Sequence, residues 1–267
     1  MEKKTDLSSI FAAIVIPLCF VVAVLIFMYI LGNPTNFIDN NPDNNPKQGN
    51  YLGVVFKGGY IVPVLMSMAM MVIVFSLERF ITIRKANGKG SIASFVKRIQ
   101  YHLTNNDTKS AKDECNKQKG SVANVVLAGL NKYEEMEKNT DLEEEKKILA
   151  ISKEVEEATA LELPSLEKNL PILATIASVA TLVALLGTVI GMIKAFAALA
   201  TSGTPDPGAL ASGISEALIN TAIGIGTSAF AIIFYNIFTS MIDKLTYGID
   251  EIGFSIAQSF ASGKHGK

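Results

Sequence analysis

The amino-acid sequence predicts an all-α fold: a polytopic membrane protein with four predicted transmembrane helices and a cytoplasmic helical extension. Three observations support this prediction. Hydrophobic residues make up 49% of the 267 residues and charged residues only 18%, against about a quarter in typical soluble proteins. Four stretches are long and apolar enough for a bilayer, which takes ~20 residues. Basic residues are also shared unequally among the connecting segments.

The composition argues against several other classes of protein. The net charge is −1 and no basic face stands out, so nucleic-acid binding is not expected. His102 and His265 are isolated, and Cys19 and Cys115 lie in different surroundings, so we expect no metal site and no cofactor. No P-loop, dinucleotide fingerprint or nucleophile elbow is present. We therefore expect no catalytic residues and no enzyme.

The apolar stretches divide the chain into six segments. The first stretch is longer than a signal-peptide core and lacks a small-x-small cleavage site, so we interpret it as a retained anchor. The segments are an N-terminal transmembrane anchor (1–32), a periplasmic Asn/Pro-rich loop (33–58), a transmembrane helix (59–78), a cytoplasmic helical segment (79–170), a transmembrane hairpin (171–242) and a cytoplasmic C-terminal tail (243–267).

The distribution of lysine and arginine predicts the orientation. Residues 33–58 hold only two lysines, whereas 79–98 hold six basic residues. The turn "TSGTPDPGALASG" between the last two spans holds none, and three lysines follow the fourth span. Cytoplasmic loops carry the excess of basic residues. We therefore expect both termini in the cytoplasm, with the Asn/Pro-rich loop and the short turn outside.

The connecting segments have distinct patterns. The Asn/Pro-rich loop is typical of turn and coil, and we expect a flexible external connector. In the middle segment "SIASFVKRIQYHL" and "SVANVVLAGLNKY" are amphipathic. A long helix is expected to begin near Asp141 and continue into the third span, with kinks at Pro164 and Pro171.

Small residues recur at helical spacing in the last two spans. Ala184, Gly187 and Gly191 lie three or four positions apart, as do Gly224 and Ser228. Residues at this spacing share one face of a helix, and such faces let membrane helices approach closely. We therefore expect these five residues to pack the third and fourth spans together.

Polar side chains accompany the small residues. They are Thr188 in the third span and Glu216, Asn220 and Thr221 in the fourth. A membrane threonine can bond the carbonyl one turn earlier, so helix packing and a polar-lined ion path both remain open. Glu216 either caps the fourth span or belongs to that path, because an ionisable group at membrane depth is costly. Lys194 is expected to extend toward the interface.

The most specific motifs lie within residues 164–240. The segment "LEKNLPILATIASVATLVALLGTVIGMIKAF" is followed by "GISEALINTAIGIGTSAFAIIFYN". This combination resembles the ExbB/TolQ/MotA family of proton-channel motor subunits, and the ExbB/TolQ branch in particular. The resemblance implies a homopentamer around a central pore in the bacterial inner membrane. It also implies a single-span ExbD/TolR-type partner with a protonatable aspartate, and a further TonB/TolA-type protein.

The resemblance also implies roles for particular residues. Thr188 and Thr221 would line the proton path, and Glu216 would be its acidic residue. We add Asn220, one turn from Glu216, to this predicted path. No chain of carboxylates or histidines crosses the middle of the membrane, so the partner's aspartate would supply the missing titratable group.

Two features depart from the family pattern. Proline often precedes the motif in an "(A/S)-P-x-x-G" run, whereas residues 180–184 read "ATLVA" without proline or glycine, so a kink there is in doubt. The family core has three spans, and this chain adds a first span that returns the N-terminus to the cytoplasm.

The sequence therefore predicts a pentameric, stator-like proton-channel subunit. With its partner it would use the proton motive force to energise transport or envelope processes across the periplasm. Two alternatives remain: a non-conducting membrane scaffold that stabilises partner chains, and a motility-type motor subunit of the same superfamily.

Overall fold

The protein is built from helices. A computed structural model describes residues 7–201 and 207–262, with the side chains of 11–198 and 207–262. These ranges contain one isolated β-bridge but no strand, so the predicted all-α class is confirmed. The centre of the predicted outer turn (202–206), the first six residues and the last five lie outside the described residues.

Nine α-helices follow one another along the described residues. They are α1 (Leu7–Leu25), α2 (Tyr51–Phe56), α3 (Ile61–Asn87), α4 (Ile92–Thr104), α5 (Thr108–Gln118), α6 (Gly120–Lys138), α7 (Glu144–Glu167), α8 (Leu170–Thr201) and α9 (Pro207–Ser262). A π-helix over Ile26–Leu31 extends α1. Four helical stretches are long and apolar enough to cross a membrane, and each coincides with one predicted span. They are Phe11–Leu31, Ile61–Thr104, Leu170–Ala198 and Pro207–Ser262.

The chain forms two compact units. The first combines residues 1–77 with 171–235, and the second combines 78–170 with 236–267. The sequence set residues 243–267 apart as a tail, but α9 continues through Ser262. The reason is an apolar stripe at helical spacing in this part of α9, which is buried in the second unit. Its members are Leu245, Ile249, Ile252, Ile256 and Phe260.

The Asn/Pro-rich segment is folded, in contrast to the coil connector expected from its composition. Phe37 is fully buried, and its ring centroid lies 5.5 Å from that of Phe56. Phe56 in turn stacks on Phe27 of the π-helix at 4.7 Å. Aromatic pairs of this kind add to the stabilisation that burial alone provides. The segment is therefore held by side chains that lie partly outside it, which its own composition does not reveal.

Amide and ammonium groups fix the backbone of the same segment. The Asn36 side chain donates to the last two carbonyls of the π-helix at 2.8 and 3.0 Å. Carbonyls at a helix end have no partner within the helix, so Asn36 satisfies them. The Lys57 ammonium binds the backbone oxygens of Pro42 and Asp43 at 2.8 and 3.0 Å.

The second unit has its own apolar core. Helix α4 buries Phe95, Ile99 and Leu103, which lie on one helical face. The amphipathic segments expected at 91–103 and 121–133 are confirmed as parts of α4 and α6.

The long helix expected from Asp141 into the third span is interrupted. Helix α7 ends at Glu167 and α8 begins at Leu170, so the break lies between Pro164 and Pro171. Proline has no N–H and its ring clashes with the carbonyl four residues earlier. Pro171 therefore disfavours a continuous helix through Glu167, and two residues form a turn instead.

Arg79 binds the end of α7 through a buried polar network. Its guanidinium, 1% exposed, donates to the carbonyls of Ser165 and Leu166 at 3.2 and 2.9 Å. The Glu78 carboxylate accepts two hydrogen bonds from the same guanidinium, at 2.6 and 2.5 Å, and one from Asn169 at 2.9 Å. The carbonyls at the end of α7 thus gain donors that the helix cannot supply.

We expect Arg79→Met to lower the free energy of unfolding by ~3 kcal/mol, the low end of the range for a broken buried ion pair, because the partly buried Glu78 carboxylate and two carbonyls of α7 lose their donor. Arg79→Lys should lower the free energy of unfolding by less than Arg79→Met does, because lysine keeps the positive charge. It should still be less stable than the unmodified protein, because an ammonium cannot reproduce the planar hydrogen-bonding geometry of a guanidinium. Arg98→Met is the control: the Arg98–Glu114 pair is partly exposed, and such pairs contribute ~1 kcal/mol or less. Denaturation in detergent, followed by circular dichroism, measures all three. Equal losses for Arg79→Met and Arg98→Met would contradict this account.

Candidate functional site

Helices α8 and α9 approach each other closely in the first unit where glycines face one another. A Cβ atom on Gly191 would lie 2.9 Å from the carbonyl oxygen of Gly213, and one on Gly213 would lie 2.8 Å from that of Gly191. Close approach of backbones increases van der Waals packing, which drives helix association in membranes. No larger residue fits at either position without moving a helix.

The other half of the hairpin is packed in the same way. A Cβ atom on Gly224 would overlap the Cβ atom of Ala184 and lie 2.8 Å from the carbonyl oxygen of Ala180. The hydroxyl of Ser228 donates a short hydrogen bond to the carbonyl oxygen of Ala177. The residues expected to pack the last two spans therefore face each other across α8 and α9.

The two threonines meet between the helices. Their Oγ1 atoms are 2.5 Å apart. The Thr188 hydroxyl also lies 3.0 Å from the carbonyl oxygen of Ala184 and 3.4 Å from that of Ala217. The Thr221 hydroxyl lies 3.1 Å from the same Ala217 oxygen. Because a hydroxyl has one proton and two lone pairs, either threonine can donate to the other or to a carbonyl.

Asn220 fills the space opposite Gly187. It is fully buried, and a Cβ atom on Gly187 would lie 2.8 Å from its Nδ2. That Nδ2 donates to the carbonyl oxygen of Gly58 at 3.0 Å, in the turn before α3. The Oδ1 atom of Asn220 is buried and has no hydrogen-bond partner among the described residues. Buried acceptors without a partner are uncommon in native proteins, so this oxygen is available to accept a hydrogen bond from a further donor.

Glu216, one turn before Asn220, forms an ion pair with Lys194. Its Oε1 atom lies 2.6 Å from the Lys194 Nζ, and the two side chains are 13% and 52% exposed. Lys194 therefore contacts the acidic residue of the predicted path as well as extending outward. The same Oε1 covers Gly59, where a Cβ atom would lie 2.5 Å away.

Sequence reasoning missed the turn at Gly58 and Gly59. Two polar residues of α9, Asn220 and Glu216, contact the turn that precedes α3. Gly59 has a φ of +76°, which residues with a Cβ rarely adopt. The adjacent glycines before an apolar span were the signal available in the sequence. Gly213 was missed too, because it lies in the short turn region rather than in the predicted fourth span.

Proton transfer through the hairpin would require a further titratable group beside the two threonines. The predicted path residues supply two hydroxyls, one amide and one ion-paired carboxylate. A hydroxyl relays a proton between an acid and a base on either side of it. Within the described residues, no three histidine, cysteine, aspartate or glutamate side chains gather as a metal-binding group.

Membrane-length helices and a closely packed hairpin with facing hydroxyls define a class: multi-pass helical membrane proteins with polar groups inside the helix packing. The sequence profile of the MotA/TolQ/ExbB proton channel family matches residues 117–251, which is just over half of the chain. The chain therefore belongs to this family. The match begins well before residue 164, where the recognisable motifs start.

Curated relatives support the same assignment. The chain is 32% identical to the Tol-Pal system protein TolQ of Pseudomonas aeruginosa over 46% of this chain and 54% of that protein. It is 45% identical to TolQ of Haemophilus influenzae over 28% of this chain and 33% of that protein. It is 31% identical to the biopolymer transport protein ExbB of Pseudomonas putida over 50% of this chain and 40% of that protein. The alignments thus span about half or less of these relatives. The expected ExbB/TolQ branch is confirmed, and the helices and relatives together indicate a multi-pass protein of the bacterial inner membrane.

Gly224→Ala and Gly226→Ala form a matched pair within α9. Both remove a glycine from a helix interior, which alone stabilises a helix by ~1 kcal/mol. Nothing lies within 4 Å of a Cβ atom added at Gly226, so this variant should keep or raise the melting temperature. Gly224→Ala meets Ala184, and overpacking of this kind costs ~1–3 kcal/mol, so its melting temperature should fall. If both variants melt alike, α8 and α9 are not in close contact at Gly224.

Proposed function

We propose that the protein is a pentameric, stator-like proton-channel subunit. With an ExbD/TolR-type partner it uses the proton motive force to energise transport or envelope processes across the periplasm. One observation carries the proposal: the hydroxyls of Thr188 and Thr221 are 2.5 Å apart, in the part of the chain that matches a proton channel family.

The hydroxyl pair would act as a short relay. When one oxygen of the pair accepts a proton from a donor, it releases its own proton to the neighbouring oxygen, which in turn releases its proton to an acceptor beyond the pair. Rotation of both hydroxyls then restores the starting state. Such a relay needs an acid that takes up and releases the proton. In this proposal a protonatable aspartate of the single-span partner supplies that group beside Thr188 and Thr221.

Glu216 and Asn220 would form the outer part of the same path. The Glu216 carboxylate, which lies 2.6 Å from the Lys194 ammonium, would stand at the mouth of the hairpin. The unpartnered Oδ1 of Asn220 offers an acceptor one turn further in. Together with Thr221 these residues make a discontinuous line of polar groups along α9, with Thr188 of α8 opposite Thr221.

The membrane arrangement forms part of the proposal. The excess of basic residues at 79–98 supports cytoplasmic termini and a cytoplasmic segment at 79–170. The folded segment 33–58 would then lie in the periplasm, and the hairpin 171–242 would form the channel core of each subunit. In this arrangement, close helix packing at Gly187, Gly191 and Gly224 would keep the polar groups between the helices. A TonB/TolA-type protein would be the further partner that the motor acts on.

A non-conducting scaffold is the second candidate, and one observation favours it. Each threonine also bonds a carbonyl one turn earlier on its own helix, at 3.0 Å for Thr188 and 3.1 Å for Thr221. Bonds of this kind satisfy a hydroxyl in hydrocarbon without any transport role. A scaffold would use both residues for packing and would bind partner chains without passing protons.

Replacing both threonines by valine should separate the two candidates. Valine keeps the shape but removes the hydroxyl, so we expect proton flux to fall at least ~100-fold, the lower range for loss of a positioned proton-transfer group. Thr227→Val is the matched control, because within the described residues the Thr227 hydroxyl bonds the carbonyl of Ile223 on its own helix and no group of another helix.

The measurement is proton uptake into liposomes that contain the protein and its single-span partner under a membrane potential. Native mass spectrometry should find the same oligomer for the variants as for the unmodified protein. Unchanged flux in the double variant, with the oligomer intact, would refute the proton path and favour the scaffold.

A further inference from the structure

The end of α3 and the loop after α5 form a basic pocket in the second unit. Its volume is about 510 Å³, within the range of ligand-binding pockets. Four cationic side chains line it, all of them exposed, and no acidic residue is among the lining residues, which all lie in the described part of the chain. The lining consists of Phe80, Ile81, Arg84, Lys85, Gly88, Lys89 and Lys119.

Backbone contacts hold the two sides of the pocket together. The N–H of Lys89 donates to the carbonyl oxygen of Gln118 at 2.7 Å. The buried Gln118 side chain donates to the carbonyl oxygen of Asn87 at 2.9 Å. Gly120, with a φ of +86°, lies so close to α3 that a Cβ atom would be 2.5 Å from the oxygen of Ala86. Lys89 and Lys119, far apart in sequence, are thereby kept at one site.

The positive charges of the pocket are not balanced within the chain. Among the described residues, Arg84, Lys85, Lys89 and Lys119 take part in no ion pair. Arg84 lies over the Phe80 ring at 5.9 Å. The dipole of α3 accounts for two basic residues in its last turn, but not for the two lysines that come from loops. A cluster of basic side chains without acidic partners favours the binding of an anion.

An apolar groove adjoins the basic pocket. Its volume is about 840 Å³, and it shares Phe80 and Arg84 with the pocket. Its walls are mainly apolar and include Ile83, Ile92, Val96, Met241 and Leu245, with Asp243, Lys244 and Glu251 also present. A ligand that is anionic at one end and apolar at the other matches the two adjoining sites better than free phosphate does.

The position along α3 points to the same ligand. Phe80 follows the last apolar turn of the second predicted span by three residues, or ~4.5 Å of helix. Basic pockets at the cytoplasmic ends of transmembrane helices bind anionic lipid head groups. We propose that this pocket binds the head group of an anionic phospholipid, with an acyl chain in the adjoining groove. The inference rests on the membrane arrangement proposed above but not on proton conduction.

The test uses the full-length protein, delipidated in neutral detergent, with phosphatidylglycerol or phosphatidylcholine added. Native mass spectrometry counts the lipids that stay bound. The unmodified protein should prefer phosphatidylglycerol. Lys89→Gln with Lys119→Gln should weaken that binding at least ~10-fold, because each basic residue near an anionic lipid surface contributes ~1 kcal/mol. Lys97→Gln with Lys109→Gln removes two exposed lysines outside the pocket and should change nothing.

Three results would overturn the proposal. They are equal retention of both lipids by the unmodified protein, equal losses in the two double variants, and full displacement of phosphatidylglycerol by inorganic phosphate, which would indicate a simple anion site. Circular dichroism should give both double variants the melting temperature of the unmodified protein. The threonine double variant should keep its preference for phosphatidylglycerol, so failure of the lipid site and failure of the proton path are separate outcomes.

Discussion

The close contact between the backbones of α8 and α9 is the constraint on which the functional part of this protein depends. Gly191 and Gly213 leave no room for a side chain between the helices. An O–H···O hydrogen bond needs an oxygen–oxygen distance of about 2.5–3.0 Å, so separation of the helices by the width of a methyl group would break the contact between the Thr188 and Thr221 hydroxyls. Glycine weakens each helix interior, but the packing and the hydroxyl contact that it permits offset that cost.

The same region must also satisfy its polar groups in an apolar medium. An unpaired polar group costs several kcal/mol in hydrocarbon, and most of the hairpin's polar groups have found partners within the chain. Glu216 pairs with Lys194, and Asn220 bonds the carbonyl of Gly58. The bond from Asn220 ties the hairpin to the turn before α3. Among the described residues of the hairpin, the Oδ1 of Asn220 is a buried side-chain atom without a hydrogen-bond partner, and it lies among the residues of the proposed path.

The second unit contains the interactions that stabilise the ends of the long helices. Pro171 interrupts the passage from α7 to α8, and the buried Arg79 supplies donors to the carbonyls exposed there. The continuation of α9 through Ser262 adds an apolar stripe to the core of this unit. The loops at Gly88 and Gly120 then bring basic residues to the end of α3. A family member built on the hairpin thus carries a separate, well-packed unit with a basic pocket of its own.

Local properties of the sequence determined the class, the four spans and the family. Apolar length, helical spacing and a specific motif each depend on neighbouring residues, so they are readable without a structure, and the candidate site was readable in the same way. The apolar stripe that extends α9 was readable too, although it was overlooked. Only the tertiary structure decided that Lys194 pairs with Glu216, that Asn220 binds the turn at Gly58, and that Phe37 is buried against Phe56. These contacts join residues on different elements, so they depend on how the helices are rotated and how closely they approach, which no local pattern specifies.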